Sequence, residues 1–595
     1  MLHKVPVSHK FPVAGIPTGL SEYSREEILM AVSNGWKIFF GIIVIGLCIL
    51  LAYITLLAVP HDPVVIVMNG TIYTNPDHQV QNLLIRNGTV QTTNVDPTAY
   101  RGAEIIDLHG SVAYPGFHDS HVHLLEAGYG FSSNCSLYGA TDAKSIAAIV
   151  GPIAASLPPG EPMIGGGFSL NDYDAWSLAD LADIDAVTGD HPVFLGDQLG
   201  HNAIVNTAAL IVCNITGTTQ PPPGGIIILE TGKPTGMLRE SAMVPAGNVL
   251  FGKFPDTVIG PVTERYLHYW ASFGYTSIND LMGSSAGRMF NPELFKKMER
   301  EGKLPLRVHY FYTISSLDEI DDALPYVGND TDMVRFVGLK IFVDGAFAGG
   351  QANTSWKNAK GNYGLTYVYT DDSFGESYNI NRIVAKADDL GLNVHYHVQG
   401  DQAINAVLTA LENQSARNGG LKSNHTLIHL AFVTDEQIAR MKKLGNHISL
   451  TIQPAFWDVQ ENLSRYYGDH TAEAYPLKKL FSSEIPIGIS TDFYVSPLSL
   501  SPPTAIAGIA SQGGNDPQNH PPLTIQQVIR GLTSGSAATT LSRDIGKLEP
   551  GYKADMVIFD QDLNAVPPGQ FTRNNPKVLA TYINGMKVYS AEGWV

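Results

Sequence analysis

The sequence predicts an α/β protein: a (β/α)8, TIM-like barrel, a small β-sandwich formed by both ends of the region after residue 61, and an N-terminal transmembrane helix. Three observations carry this expectation. Eight apolar strand candidates, at 112–119, 275–280, 306–312, 335–342, 392–397, 425–430, 447–453 and 486–491, alternate in their later part with helical stretches such as 292–301, 400–412 and 434–443. Short strand-like runs at 64–68, 70–73 and 82–90 match others at 554–560 and 580–589, as if the two ends met in one small sandwich. Residues 38–59 carry no charged side chain over 22 positions, enough for about 33 Å of helix.

Taken in order, residues 1–37 are a short tail carrying Lys4, Lys10, Arg25 and Lys37, whereas His61 and Asp62 follow the apolar span. That asymmetry places the tail in the cytosol and makes 38–59 an uncleaved signal anchor, giving a single-pass type II membrane protein with a luminal or extracellular main domain. Nine Asn-x-Ser/Thr sites, at Asn69, Asn87, Asn134, Asn214, Asn329, Asn353, Asn413, Asn424 and Asn462, all lie beyond the span and predict a glycoprotein. Cys48 falls inside the span, leaving Cys135 and Cys213 either bridged or as two thiols. Residues 62–112 and 546–595 are assigned to the sandwich, and 113–545 to the barrel. An insertion at about 130–270, with strand candidates at 163–168 and 192–196, interrupts the barrel after its first strand.

With 44% hydrophobic and 16% charged residues the chain can fill a large core. A net charge of −18 without any Lys/Arg cluster argues against nucleic acid. The remaining partners are a small-molecule substrate, the membrane through the N-terminal helix, and a homo-oligomer, which the sequence leaves open.

The chemistry concentrates where apolar strands end. His121 and His123 lie two apart after the apolar run closed by Pro115-Gly116, so an extended chain presents both imidazoles on one face, half of a metal site. A His-x-His pair taken alone is more often an ordinary polar face, and the strand-end context favours the metal. His397 and His429 end two later candidates, and His395 shares the face of His397 as a rival ligand. His118 stands on a different phase, suited to packing or to a hydrogen bond behind the ligands. Asp492 closes the apolar run 486–491, where it can act on water or cap the next helix. Lys340 lies within Phe336-Val337-Gly338-Leu339-Lys340-Ile341-Phe342, where a free ammonium is costly to bury without a partner such as Asp344.

Six landmarks occur in one order over about 62–595: Pro115-Gly116 through His121-Val122-His123, Gly338-Leu339-Lys340 through Asp344-Gly345, His397 with Gly400-Asp401, His429, Ser490-Thr491-Asp492, and Gly551-Tyr552-Lys553-Ala554-Asp555. On these residues the chain resembles the amidohydrolase superfamily, in its amidohydrolase 3, or YtcJ-like, branch. The resemblance implies a metal-dependent hydrolase that cleaves an amide or other C–N bond, in an N-acyl, N-formyl or cyclic amide, with metal-activated water. It implies metal ligands at His121, His123, Lys340, His397, His429 and Asp492, with Asp492 also moving the proton. Zinc is the first choice, as one or two ions. Members with Lys on the fourth strand commonly carboxylate it, so Lys340 is expected to bridge two metals as a carbamate. The insertion is expected to cap the pocket, with His201, Trp176, Phe168 and Tyr173 as candidate lining, against ordinary packing for each.

Two rival functions accompany this one. Gly283-Ser284-Ser285-Ala286-Gly287 matches a Gly-x-Ser-x-Gly elbow and would make Ser285 a nucleophile. A catalytically inactive receptor or scaffold would keep the barrel without turnover, although all the matched metal positions are present.

Overall fold

The computed structural model describes residues 64–130, 135–170, 172–198, 200–252, 254–282, 290–456, 464–493, 502–514 and 520–594. Eight parallel strands form the barrel: β1 Phe117–Val122, β2 Tyr275–Met282, β3 Arg307–Ile314, β4 Val334–Phe342, β5 Asn393–Val398, β6 His425–His429, β7 Ile448–Ile452 and β8 Ile487–Ile489. Each pairs with its neighbours in sequence order from β1 to β8. The strands are buried almost throughout, as parallel strands covered on both faces require. Seven of the eight sequence candidates coincide with these strands to within a few residues.

The first candidate, 112–119, is two strands. Val112–Pro115 pairs with Thr71–Asn75 and Met556–Phe559, and β1 starts only at Phe117. Gly116 makes the break, because its amide donates to the Asp555 carbonyl at 2.8 Å and a Cβ there would lie 2.3 Å from the Thr276 side chain. Only glycine passes this corner.

β8 is short, and the barrel closes beyond its end. Val122 pairs with Phe493 in a parallel bridge, and the Asp492 amide donates to the His121 carbonyl at 3.0 Å. Behind them, the buried Asp119 on β1 accepts the Thr491 amide at 3.0 Å, the Thr491 hydroxyl at 2.7 Å and the Trp270 indole at 3.2 Å.

Strands from the two ends share one sheet. One six-stranded sheet runs Met586–Ser590, Val578–Ile583, Met556–Phe559, Val112–Pro115, Thr71–Asn75, His78–Val80, and a four-stranded sheet holds Val64–Met68, Leu83–Arg86, Thr89–Thr93 and Glu104–Asp107. Val67, Ile72, Leu83, Leu108, Met556 and Ile558 share one apolar core between them. The insertion builds a six-stranded sheet of its own from Cys135–Ser136, Met163–Phe168, Val193–Asp197, Asn202–Val205, Ile226–Glu230 and Lys233–Arg239. Only two of these six strands were expected. The last two form a hairpin around Thr231-Gly232, both at positive φ, and Cys135–Ser136 is only two residues long.

Two expectations are corrected and one open alternative is decided. No helix among the described residues is long and apolar enough to cross a membrane, which overturns the single-pass type II placement. The 38–59 span on which it rested, with its 1–37 tail, lies outside the described residues. Cys135 and Cys213 are not bridged: Cys135 is buried in the core of the insertion, while Cys213 packs at the end of helix Thr207–Val212 against a separate cluster. Asn424 is buried and its amide donates to Ser449 Oγ at 3.1 Å, which leaves no room for a glycan. Asn69, Asn87, Asn214, Asn329 and Asn413 are exposed and Asn353 is part-buried, whereas Asn134 and Asn462 lie outside the described residues.

The landmark ending in Asp555 has a structural task. Its carboxylate grips Arg307 at the start of β3 through Nε at 2.7 Å and Nη2 at 3.2 Å, both partners being buried, and so ties the terminal sheet to the barrel. Without Asp555 the buried Arg307 keeps only the half-exposed Asp332, 3.3 Å from Nη1, to offset its charge, so Asp555→Ala is expected to cost about 1.5–3 kcal/mol of stability. Denaturant unfolding measures this, and an unchanged midpoint would show that the pair does not hold the two parts together.

Candidate metal centre

The ends of four strands and the turn after β8 converge at the barrel mouth. His121 and His123 leave β1 with their Nε2 atoms 3.2 Å apart. Asp492 Oδ1 lies 3.1 Å from the first and 3.6 Å from the second. Ligand atoms of these three residues all fall within 4.8 Å of one another, the arrangement needed to share an ion. Asp492 reaches them because its backbone takes the left-handed φ of +58° directly after the Asp119 clamp. His429, the last residue of β6 and also left-handed at +74°, brings its ring to 5.4 Å from that of His121 and 4.4 Å from that of His397. Its Nδ1 lies 2.9 Å from Gln453 Oε1, an arrangement that orients the ring and leaves Nε2 for the centre.

Burial sets the charges. It pushes His121, His397 and His429 well below the usual histidine range, with Lys340 and neighbouring imidazoles adding to the effect, so these rings are neutral and able to ligate. His123 goes the other way: burial lowers it, but Glu126, 3.4 Å from its Nδ1, outweighs that. Burial likewise brings Lys340 down to about 7, against the pull of Asp492 and Glu126. Lys340 Nζ and His397 Nε2 are buried without any hydrogen-bond partner. Orphaned polar atoms of this kind cost about 1–3 kcal/mol each. Neutral imidazoles, a carboxylate and an amine gathered around one point fit a divalent cation, which would give these atoms their missing partner.

The other expected residues separate clearly. His395 lies on β5 two residues before His397, but its Nε2 is 3.0 Å from the Thr539 carbonyl and its ring packs 4.1 Å from Phe311, below the mouth. His118 meets Asn279 Oδ1 at 2.6 Å behind the ligands. Asp344 does not pair with Lys340, because its two oxygens accept the amides of Gln399, Gly400 and Asn353 at 2.8–2.9 Å. Trp176 donates its indole to the Thr235 carbonyl at 2.9 Å inside the core of the insertion, with Phe168 buried beside it. Tyr173 donates to Asp197 at 3.1 Å. His201, in contrast, places its ring 5.8 Å from that of His397. Ser285 lies outside the described residues. Gln453, Asp119, Glu126 and Glu240 were not singled out from the sequence. Glu126 alone had a local signal, standing three residues after His123 in the first turn of helix Leu124–Gly130.

Comparison with known proteins agrees with this geometry. Residues 104–589 match the amidohydrolase family. The putative amidohydrolase YtcJ of Bacillus subtilis is 28% identical over 82% of this chain and 90% of its own. The N-substituted formamide deformylase of Arthrobacter pascens is 24% identical over 84% and 92%. Among solved structures, an uncharacterized metal-dependent hydrolase from Pyrococcus furiosus aligns with a TM-score of 0.64 at 26% identity, over 84% of this chain and all of that one. Its counterpart from Pyrococcus horikoshii reaches 0.68 at 24% identity, over 86% of this chain, and shares the fold.

Gln453 supplies a test that leaves the ligands themselves intact. Gln453→Leu removes the acceptor that orients His429 and is expected to weaken divalent-metal affinity about 10–100-fold. Competition with a chelator measures this, and unchanged affinity would mean that His429 needs no such support.

Proposed function

This chain belongs to the amidohydrolase family, and we propose that it hydrolyses an amide or other carbon–nitrogen bond of a small molecule, with a divalent metal held by His121, His123, Lys340, His397, His429 and Asp492. The observation that carries this reading is the meeting of His121, His123 and Asp492 within 4.8 Å at the open end of a parallel barrel. Bound there, a divalent metal supplies Lewis acidity, lowering the pKa of water toward neutrality and polarising the attacked carbonyl. Zinc suits a set of imidazoles and carboxylate.

The protein's own part is to position and to move a proton. Asp492 takes a proton from the attacking water on a carboxylate oxygen and returns it to the leaving nitrogen. The Thr491–Asp119 clamp behind it fixes its backbone, and His121 Nε2 lies 3.1 Å from its Oδ1. The insertion brings His201 to the mouth as a substrate-binding residue, while Trp176 acts on substrate only through the packing of that insertion. Lys340 is assigned as the amine that adds CO2 and loses a proton, giving a carbamate whose oxygens would serve two ions. Its Nζ is unpartnered in an apolar strand, and the rival partner Asp344 is committed to backbone amides. N-acyl, N-formyl and cyclic amides are the substrate classes, the second being suggested by the formamide deformylase among its relatives.

The test is a panel of these three classes assayed on protein loaded with zinc and bicarbonate. Asp492→Asn preserves shape but cannot accept the proton, so it should retain the fold and much of the metal while losing about 10²–10⁴ in kcat. His121→Ala and His429→Ala should lower metal content and turnover together. Wild-type kcat in Asp492→Asn, or full metal content in both histidine variants, would refute these assignments. Two ions per wild-type chain, falling to one in Lys340→Met, is the result expected of the carbamate bridge.

A further inference from the structure

Five imidazoles form an arc across the mouth, in the order His123, His121, His429, His397 and His201, with successive ring centres 5.1, 5.4, 4.4 and 5.8 Å apart. Four of them stand at the ends of barrel strands. The fifth, His201, comes from the insertion, immediately before strand Asn202–Val205.

His201 is built in more firmly than a pocket-lining residue needs to be. Its Nδ1 donates to Glu240 Oε2 at 2.6 Å, and the Tyr367 hydroxyl donates to the same oxygen at 2.5 Å. The other Glu240 oxygen accepts the Ala346 amide at 3.4 Å, so the segment after β4 holds the carboxylate from the far side. Glu240 is itself buried and sits at φ +53°, a left-handed conformation that non-glycine residues rarely adopt outside constrained sites. Asp197 secures the backbone, accepting the amides of His201 and Asn202 at 3.0 and 3.1 Å. All this fixes one ring nitrogen. For the other, Nε2, no partner is found among the described residues, and the side chain keeps 16% of its surface exposed.

Position then suggests the task. Asp492 lies 3.1–3.9 Å from nitrogens of His121, His123 and His429, and His201 stands beyond His397, its ring 5.8 Å from that one. A carbonyl lying along the arc and attacked from the Asp492 side turns its oxygen toward His201. We propose that His201 is a catalytic residue supplied by the insertion, an imidazolium whose Nδ1–H is held by the Glu240 carboxylate and whose Nε2–H donates to the oxygen of the scissile carbonyl, with Glu240 and Tyr367 as positioning residues that hold the ring. The insertion then completes the active site as well as covering it. This inference rests on the amide-hydrolase reading above.

The experiment uses His201→Leu, His201→Gln, Glu240→Gln and Tyr367→Phe in the metal-loaded full chain, with metal content, kcat and KM measured for each. A hydrogen bond that strengthens as the oxygen gains charge appears mainly in kcat. His201→Leu is expected to lose about 10²–10³ in kcat with unchanged metal content, and His201→Gln to recover about 10-fold of that, because its amide can still reach the oxygen. Glu240→Gln and Tyr367→Phe should lower kcat by about 10-fold each while leaving metal content alone. Retained kcat in His201→Leu overturns the proposal, and so does loss of metal in that variant, which would make His201 a ligand instead. A turnover-independent arm separates this inference from the reading beneath it: binding of a methylphosphonamidate, whose tetrahedral P–O group mimics the attacked carbonyl, should weaken about 100-fold in His201→Leu. If wild type cleaves no amide, the hydrolase reading fails by itself. Equal affinity of wild type and His201→Leu for the mimic overturns the role of His201 whatever the turnover.

Discussion

The clamp at Asp119 is the contact on which the rest of the site depends. β8 is only three residues long, too short to close a barrel by its own ladder, and the chain beyond it is held to β1 by the amide and hydroxyl of Thr491 on one buried carboxylate. With Thr491 fixed, Asp492 must turn through a left-handed conformation, and its carboxylate arrives beside His121. Burial pushes Asp119 up to about 7, opposed by the hydrogen bonds from Thr491 and Trp270. The geometry of the metal centre is thus set two residues before His121 and one before Asp492, by a carboxylate that is not in the centre.

The mouth is expensive as a piece of protein interior. It buries several imidazoles, an amine and a carboxylate with too few partners among themselves, and unsatisfied groups in a low-dielectric core normally destabilise a fold. Some charged groups elsewhere in the barrel are firmly paired: Arg307 with Asp555, and Asp344 with three backbone amides. These pairs hold the structure, whereas the mouth gathers His121, His123 and Asp492 close enough to share an ion.

Much of this was legible along the chain. Strand alternation put His121 and His123 on one face, and apolar runs ending in His397, His429 and Asp492 marked the same rim of a parallel barrel. The choice of His397 over His395 was not available from alternation, because both share a face. The structure separates them by depth, with His395 tied to Thr539. What stayed hidden depends on contacts between distant segments. Glu240 is 39 residues from His201 and 127 from Tyr367, and nothing local distinguishes it from any other Glu following a strand. Cys135 and Cys213 could be counted but not placed, and Asn424 matched a glycosylation signal that its burial voids. The split of 112–119 at Gly116 was concealed because both halves are apolar and only the crowding by Thr276 forces the turn.

The central claim is that the mouth formed by His121, His123 and Asp492 holds a divalent metal. Anomalous diffraction at the zinc edge from crystals of the metal-loaded protein tests it most directly. A peak is expected within coordination distance, about 2.0–2.2 Å, of an imidazole nitrogen of His121, one of His123 and a carboxylate oxygen of Asp492. An active, metal-loaded protein whose anomalous peak lies away from these three side chains would contradict it.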